Sequence, residues 1–259
     1  MELLKKFFKA IGALLFIFVI GILGYLYFCN KIYQKEYAEK AKKIEAFEST
    51  DSNDYYKYSI DFNKAGDFTT GFKYLNKAVE LEPEKHLGYR GWINLRKLRN
   101  YDKALSDFNK LDSLTPNFVD APWNEDIDFL RGECYFGKKD YNTSIIYFNQ
   151  SIINQNGDEW VDIQTFVYLG ISQFKLNNYE KAINELKRAL KQSEYTCEAH
   201  YWLAKTYLKL KKIKKANYHI LKAEEYIDYK REDFYNEFLN EIYLSEIIDL
   251  KLQMNKIKI

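Results

Sequence analysis

The sequence is poor in the residues that make turns. Glycine and proline together number 14 of 259, about half the usual share of roughly 12%. Turns that need a positive or fixed φ are therefore expected to be few. The scarcity excludes collagen-like, Gly/Ser-linker and Pro-rich chains. It also argues against folds of many short strands, which need turn residues at short intervals. Cysteine is sparse too: Cys29, Cys134 and Cys197 cannot build a disulfide framework. There is no CxxC, and His86, His200 and His219 lie far apart, so zinc-ligand spacing is missing. No metal or cofactor is expected. Nor is there an excess of one charge: 39 Lys or Arg stand against 37 Asp or Glu, a net +2. That balance gives no general drive toward nucleic acid. Only 6 of the 39 basic residues are Arg, a bias that points to an A/T-rich genome more than to a physical demand.

What is present is enough apolar residue to bury a core, at 47% hydrophobic and 29% charged. Helices joined by short polar turns fit this composition. Residues 10–29, AIGALLFIFVIGILGYLYFC, carry no charge and match the roughly 20 residues needed to cross a ~30 Å hydrocarbon core. They are expected to form a single transmembrane helix after a short basic tail (1–9), with Tyr25 and Tyr27 near the interface. The competing reading is a cleaved signal peptide, whose apolar region is usually ~7–15 residues and ends in a small-x-small site. Here Asn30-Lys31-Ile32-Tyr33 follows instead, and Phe28 stands where a lipoprotein box before Cys29 would need a small residue. Lysines flank the span on both sides, so the positive-inside count does not place the N-terminus in the cytoplasm. Analogy with short-tailed signal anchors places the rest of the chain outside the cytoplasm, at a bacterial inner membrane. Residues 30–51 continue in helical style, with Tyr33, Tyr37, Ala41, Ile44 and Phe47 forming one apolar stripe, and read as a stalk.

Internal repetition is the strongest signal. In RGECYFGKKDYNTSIIYFNQSI (131–152), LGISQFKLNNYEKAINELKRAL (169–190) and LAKTYLKLKKIKKANYHILKAE (203–224), the anchors Ser144, Ala182 and Ala216 align. Gly132, Gly170 and Ala204 then fall twelve residues earlier, and Phe148, Leu186 and Ile220 four later. Two earlier copies have anchors at Gly71 and Ala104. Small anchors let two antiparallel helices approach, and the large residues between them fill the remaining space. This pattern resembles the tetratricopeptide repeat, a 34-residue helix–turn–helix unit. The resemblance covers about residues 52–228, as copies at about 52–84, 85–118, 125–158, 163–196 and 197–228. It implies an all-α, right-handed α-solenoid. Gly91 lies one residue early relative to Tyr101, so the second turn should hold an extra residue. Wider anchor spacing places insertions around 116–126 and 154–160. Trp123 and Trp160 in these loops are partner-contact candidates, although each is expected to tuck onto its neighbouring helix. Residues 229–259 read as a capping helix and tail, with Phe234, Phe238, Leu239 and Ile242 on one face of 231–253.

The resemblance also implies a function. In that family the first helix of each repeat lines a concave groove that holds peptides. The matching positions here are Tyr56, Asn63, Phe129, Phe136, Val167, Phe174, Tyr201 and Leu208; packing between adjacent repeats is an equally good role for each. They lack the basic set that clamps C-terminal carboxylates, and suit an apolar or amphipathic segment. Charge is uneven along the array: residues 112–162 carry net −7 and 163–222 net +8. Lys209, Lys211, Lys212, Lys214 and Lys215 crowd the turn of the last copy. They read as a solvated turn, or as a contact for anionic lipid or an acidic partner. No specific nucleic-acid binding is expected, since Arg is scarce there.

Catalytic motifs are missing: there is no GxSxG, Walker loop, HExxH or Rossmann fingerprint. Cys197 and His200 share a helix face, for which helix packing is the plainer role. The NTS and NQS sequons (142–144, 149–151) fall inside an expected helix and read as coincidence. The expected protein is thus no enzyme. It is a membrane-anchored scaffold for protein or peptide partners, the alternative being a receptor or holdase for extended hydrophobic segments.

Overall fold

The computed structural model describes residues 2–45, 47–229 and 238–257. The chain divides into two units, 1–50 and 51–259. The first holds one continuous helix, α1 (Glu2–Glu45). Its part Leu14–Glu39 is long and apolar enough to cross a bilayer, and none of it is buried. Tyr33 and Tyr37, one turn apart, stack their rings at 6.3 Å.

The second unit is all helix and loop among the described residues. Five antiparallel pairs follow in order: α2 (Ser52–Lys64) with α3 (Phe68–Leu81), α4 (Pro83–Arg96) with α5 (Tyr101–Leu114), and α6 (Ile127–Gly137) with α7 (Tyr141–Asn154). Then come α8 (Ile163–Lys175) with α9 (Tyr179–Gln192), and α10 (Cys197–Lys209) with α11 (Ile213–Glu225). The anchors explain the pairing. Ala104, Ser144, Ala182 and Ala216 are wholly buried where the two helices of a pair meet. Opposite them glycines are required: a Cβ on Gly132 would lie 2.7 Å from the Phe148 ring, and one on Gly170 would lie 2.5 Å from Leu186 Cγ. Each pair then leaves an apolar face that the next pair covers, and the result is one continuous core.

Successive first helices touch one another, α4 with α6, α6 with α8 and α8 with α10, whereas the second helices do not approach each other to the same degree. The stack therefore curves as a solenoid with its first helices on the inner face. The second turn spans 97–100, one residue longer than the other four, as the offset of Gly91 predicts.

The turns correct one expectation. Positive φ is not scarce. Arg99, Lys139, Asn177 and Lys211 occupy the left-handed region, each one residue before the N-terminal cap of its pair's second helix, and only the first turn uses glycine there, Gly66. Four helix pairs thus accept a strain of about 1 kcal/mol each, typical of a side chain at such a φ. Asp67, Asn100 and Asp140 then cap the following helices through backbone N–H groups of Thr70, Lys103 and Thr143.

The C-terminal helix also departs from expectation. Phe234 lies outside the described residues. Residues 238–243 are irregular, and the helix runs as α12 (Leu244–Ile257). Two interactions set that start. Leu239 gives its backbone N–H to the Tyr168 hydroxyl rather than to a helical carbonyl, and Glu246 accepts from the N–H of Tyr243 at 3.0 Å, a capping contact at the helix N-terminus. Helix α12 packs on α11 and α10, with Ile247, Leu250 and Met254 buried.

Two substitutions test this account by urea denaturation. Gly132→Ala should lower stability by about 1–2 kcal/mol, because the clash with Phe148 outweighs the helix-propensity gain. Lys139→Gly should raise it by about 0.5 kcal/mol, since relief of the left-handed strain exceeds the added freedom of the unfolded chain.

Candidate functional site

The inner face is built from α2, α4, α6, α8 and α10, and the eight residues expected to line it lie on four of these helices. Asn63, Phe129, Val167 and Tyr201 are buried, and Tyr56, Phe136, Phe174 and Leu208 are half-buried. Much of their contact is with the next repeat. Tyr56 meets Tyr89 edge-on at 5.3 Å, Phe136 meets Tyr168 at 4.9 Å, and Phe174 meets Trp202 at 5.2 Å. Asn63 donates to the Tyr89 hydroxyl. These aromatics form a seam that joins neighbouring first helices, which is why so many are needed.

The insertion after α5 folds back over this seam. Its short 3-10 turn, Pro122–Asn124, packs on α4. Trp123 sits in the left-handed region at φ 55° and lies 5.6 Å from both Tyr89 and Trp92, yet stays 49% exposed. Tyr56, Lys85, Tyr89, Phe118, Pro122 and Trp123 are among the walls of an open cleft of about 450 Å³. Trp160 behaves differently. It is 77% exposed, so the expected tuck onto a neighbouring helix does not occur. The loop around it is held by Asp158, which accepts from Arg188, and by Val161, whose carbonyl accepts from Gln192.

Sequence reasoning missed a buried ionic network at the middle of the inner face. Arg96 on α4, with a wholly buried side chain, reaches Glu133 on α6 and Glu125 in the preceding loop, at 2.7 Å each. Tyr168 on α8 donates to Glu133, and Trp92 donates to Glu125. Burial pushes the Glu133 carboxyl above the usual carboxylate range, and the Arg96 guanidinium pulls it back. Residues 238–243 cover this network, with the Phe238 ring 4.3 Å from the Arg96 guanidinium. A signal for it exists in the sequence: a chain this rich in Lys keeps Arg where a planar fork is needed. Arg90 forks onto Asp107, and Arg188 onto Asp158. The Arg scarcity thus has a physical side that composition alone conceals.

The remaining candidates are local. Lys209, Lys211, Lys212, Lys214 and Lys215 are all exposed around the α10–α11 turn; Lys212 pairs with Glu180 at 3.3 Å, and Lys215 lies over the Tyr207 ring. Cys197 is buried and its thiol lies 3.2 Å from the Ala223 carbonyl. His200 turns instead to His219, with the two Nδ1 atoms 2.9 Å apart, and to the Glu194 carbonyl. Burial and the neighbouring His200 bring His219 down to about 4, and burial lowers His200 as well. Among the described residues, no cluster of three or more His, Cys, Asp or Glu side chains could hold a metal ion.

Comparison with known proteins agrees with this architecture. No curated protein matches the chain. The family described as TPR repeat matches residues 172–211. Among solved structures, PilW, a widely conserved type IV pilus biogenesis factor, is similar at 18% identity and a TM-score of 0.61, covering 79% of this chain and 84% of its own. MamA from Desulfovibrio magneticus RS-1 is similar at 17% identity and a TM-score of 0.60, covering 72% of this chain and 100% of its own. PilF of Pseudomonas aeruginosa is similar at 12% identity and a TM-score of 0.58, covering 80% and 84%. Five helix pairs with small anchors at the pair contact, a repeat match within them and these likenesses together give the array the fold of a tetratricopeptide-repeat solenoid.

Proposed function

We propose that the chain is a non-catalytic scaffold, tethered to a membrane by α1, that gathers protein partners on its repeat array. One observation carries the docking reading: Trp123 is held half exposed, in a strained left-handed turn, over an aromatic floor of Tyr89 and Trp92. Strain of this kind persists only where surrounding contacts fix it. A rigid, part-exposed aromatic beside an open cleft is suited to anchor an apolar or amphipathic segment. The tether reading rests on Leu14–Glu39, whose Leu, Ile and Phe side chains are exposed along the helix. So large an apolar surface is stable in lipid and costly in water. The likeness in fold to a pilus biogenesis factor fits a role in assembly, and placing the array outside the cytoplasm rests on the analogy with short-tailed signal anchors alone. The five lysines around the α10–α11 turn offer an acidic partner or anionic lipid a second contact.

The tests are separate. The full chain should pellet with membranes and resist extraction by carbonate; a freely soluble full-length protein overturns the tether. In a panel of labelled peptides, aromatic and aliphatic segments should bind the detergent-solubilised chain, and Trp123→Ala should weaken them at least tenfold without changing the melt. Equal binding by the variant overturns the cleft as the docking place. Replacing Lys211, Lys212, Lys214 and Lys215 by Gln should lower binding to anionic vesicles or acidic peptides at low salt by severalfold, and should make no difference at high salt.

A further inference from the structure

The inner face is not uniform. Around Trp123 it is open, but between α4 and α8 it is covered by residues 238–243 of the chain itself. This segment has neither helical nor strand pairing, so its backbone groups need other partners. The array provides one of them, and it also grips side chains of the segment. Leu239 donates its N–H to the Tyr168 hydroxyl at 2.8 Å, and the Asn240 side-chain carboxamide donates to Gln164 Oε1 at 2.7 Å. Phe238 rests on the Arg96 guanidinium and meets Phe129 edge-on at 6.5 Å. Asn240 and Ile242 are buried. The groups that hold the segment come from the first helices of three successive repeats. A cap needs only to bury one apolar face against the last repeat, and α12 already does this. Side chains of several repeats that grip one irregular segment are instead the way a groove holds an extended peptide.

We propose that the inner face from Arg96 to Gln164 is a latent peptide site, closed by residues 238–243, and that its partner is an extended protein segment of the same chemistry. The partner brings an aromatic ring for Arg96 and Phe129, a backbone N–H for Tyr168 and a carboxamide for Gln164, and it binds by displacing the chain's own segment. None of these four groove residues lines the Trp123 cleft, so this is a second site. Because the covering segment is tethered through α12, it acts at an effective concentration on the order of millimolar. A free competitor therefore meets the intact chain at a disadvantage.

The test uses the full chain in detergent and a fluorescein-labelled peptide, Phe-Leu-Asn-Glu-Ile-Tyr, the sequence of residues 238–243. The double variant Phe238→Ala/Asn240→Ala should bind the peptide at least tenfold more tightly than the unmodified chain. Adding Tyr168→Phe should weaken that binding about fivefold, and adding Trp123→Ala should leave it unchanged. Equal affinity for the double variant and the unmodified chain, or binding to neither with the melt intact, overturns the proposal. If the double variant melts early, hydrogen exchange on the unmodified chain decides. Amides of 238–243 exchanging at least tenfold faster than those of α8 support a displaceable segment, whereas equal rates make it a fixed part of the core and overturn it.

Discussion

The contact between Arg96 and Glu133 is the point on which the middle of the array turns. Both side chains are removed from water, and a charge placed there alone would cost several kcal/mol. The cost is met by geometry. Arg96 also reaches Glu125, Glu133 accepts from Tyr168, and the Tyr168 hydroxyl in turn accepts from Leu239. The second, third and fourth repeats and the C-terminal segment therefore meet through one connected set of hydrogen bonds. An apolar contact would tolerate small slips between repeats. A forked ion pair does not, so the pair fixes how α4, α6 and α8 sit relative to one another.

Around that point the packing is repetitive and follows from side-chain volume. Gly132 and Gly170 exist to let Phe148 and Leu186 in, and the aromatic seam from Tyr56 through Tyr89 joins one first helix to the next. The array spends its few glycines on these close contacts and only one on the turns within its helix pairs. The four turns without glycine put Arg99, Lys139, Asn177 and Lys211 at positive φ instead. Helix–helix contact is the stricter demand: a Cβ inside a contact has nowhere to go, whereas a left-handed side chain in an exposed turn costs only about 1 kcal/mol.

The same distinction explains what was legible in the sequence. Anchor residues such as Ala182 and Ala216 recur at a fixed interval, because every pair solves the same packing problem, so the repeat and its helices could be read directly. The one-residue offset of Gly91 marked the longer second turn for the same reason. The network of Arg96, Glu125, Glu133 and Tyr168 occurs once and joins residues up to 72 positions apart, so periodicity carries no trace of it. Phe238, Leu239 and Ile242 do have helical spacing, and the actual backbone is set by tertiary partners that override this local pattern. Trp123 and Trp160 look alike in sequence, as single tryptophans in inserted loops. Only the first has an aromatic floor to rest on.

The composition of the covered groove bears on why its cover is able to leave. An apolar floor, once exposed, loses about 25 cal/mol for every Å² returned to water, which binds its cover tightly. Here the groups that touch the cover include the Arg96 guanidinium, the Tyr168 hydroxyl and the Gln164 amide beside the Phe129 ring. Hydration of these groups recovers part of the desolvation they suffer when buried, since an ion pair gains little from the interior beyond its own attraction. The Phe238 ring and Ile242 lose burial on departure, and a competing aromatic segment restores what Phe238 gave. The exchange of one segment for another is therefore close to balanced, and the tether decides it until a partner is abundant or multivalent enough to prevail.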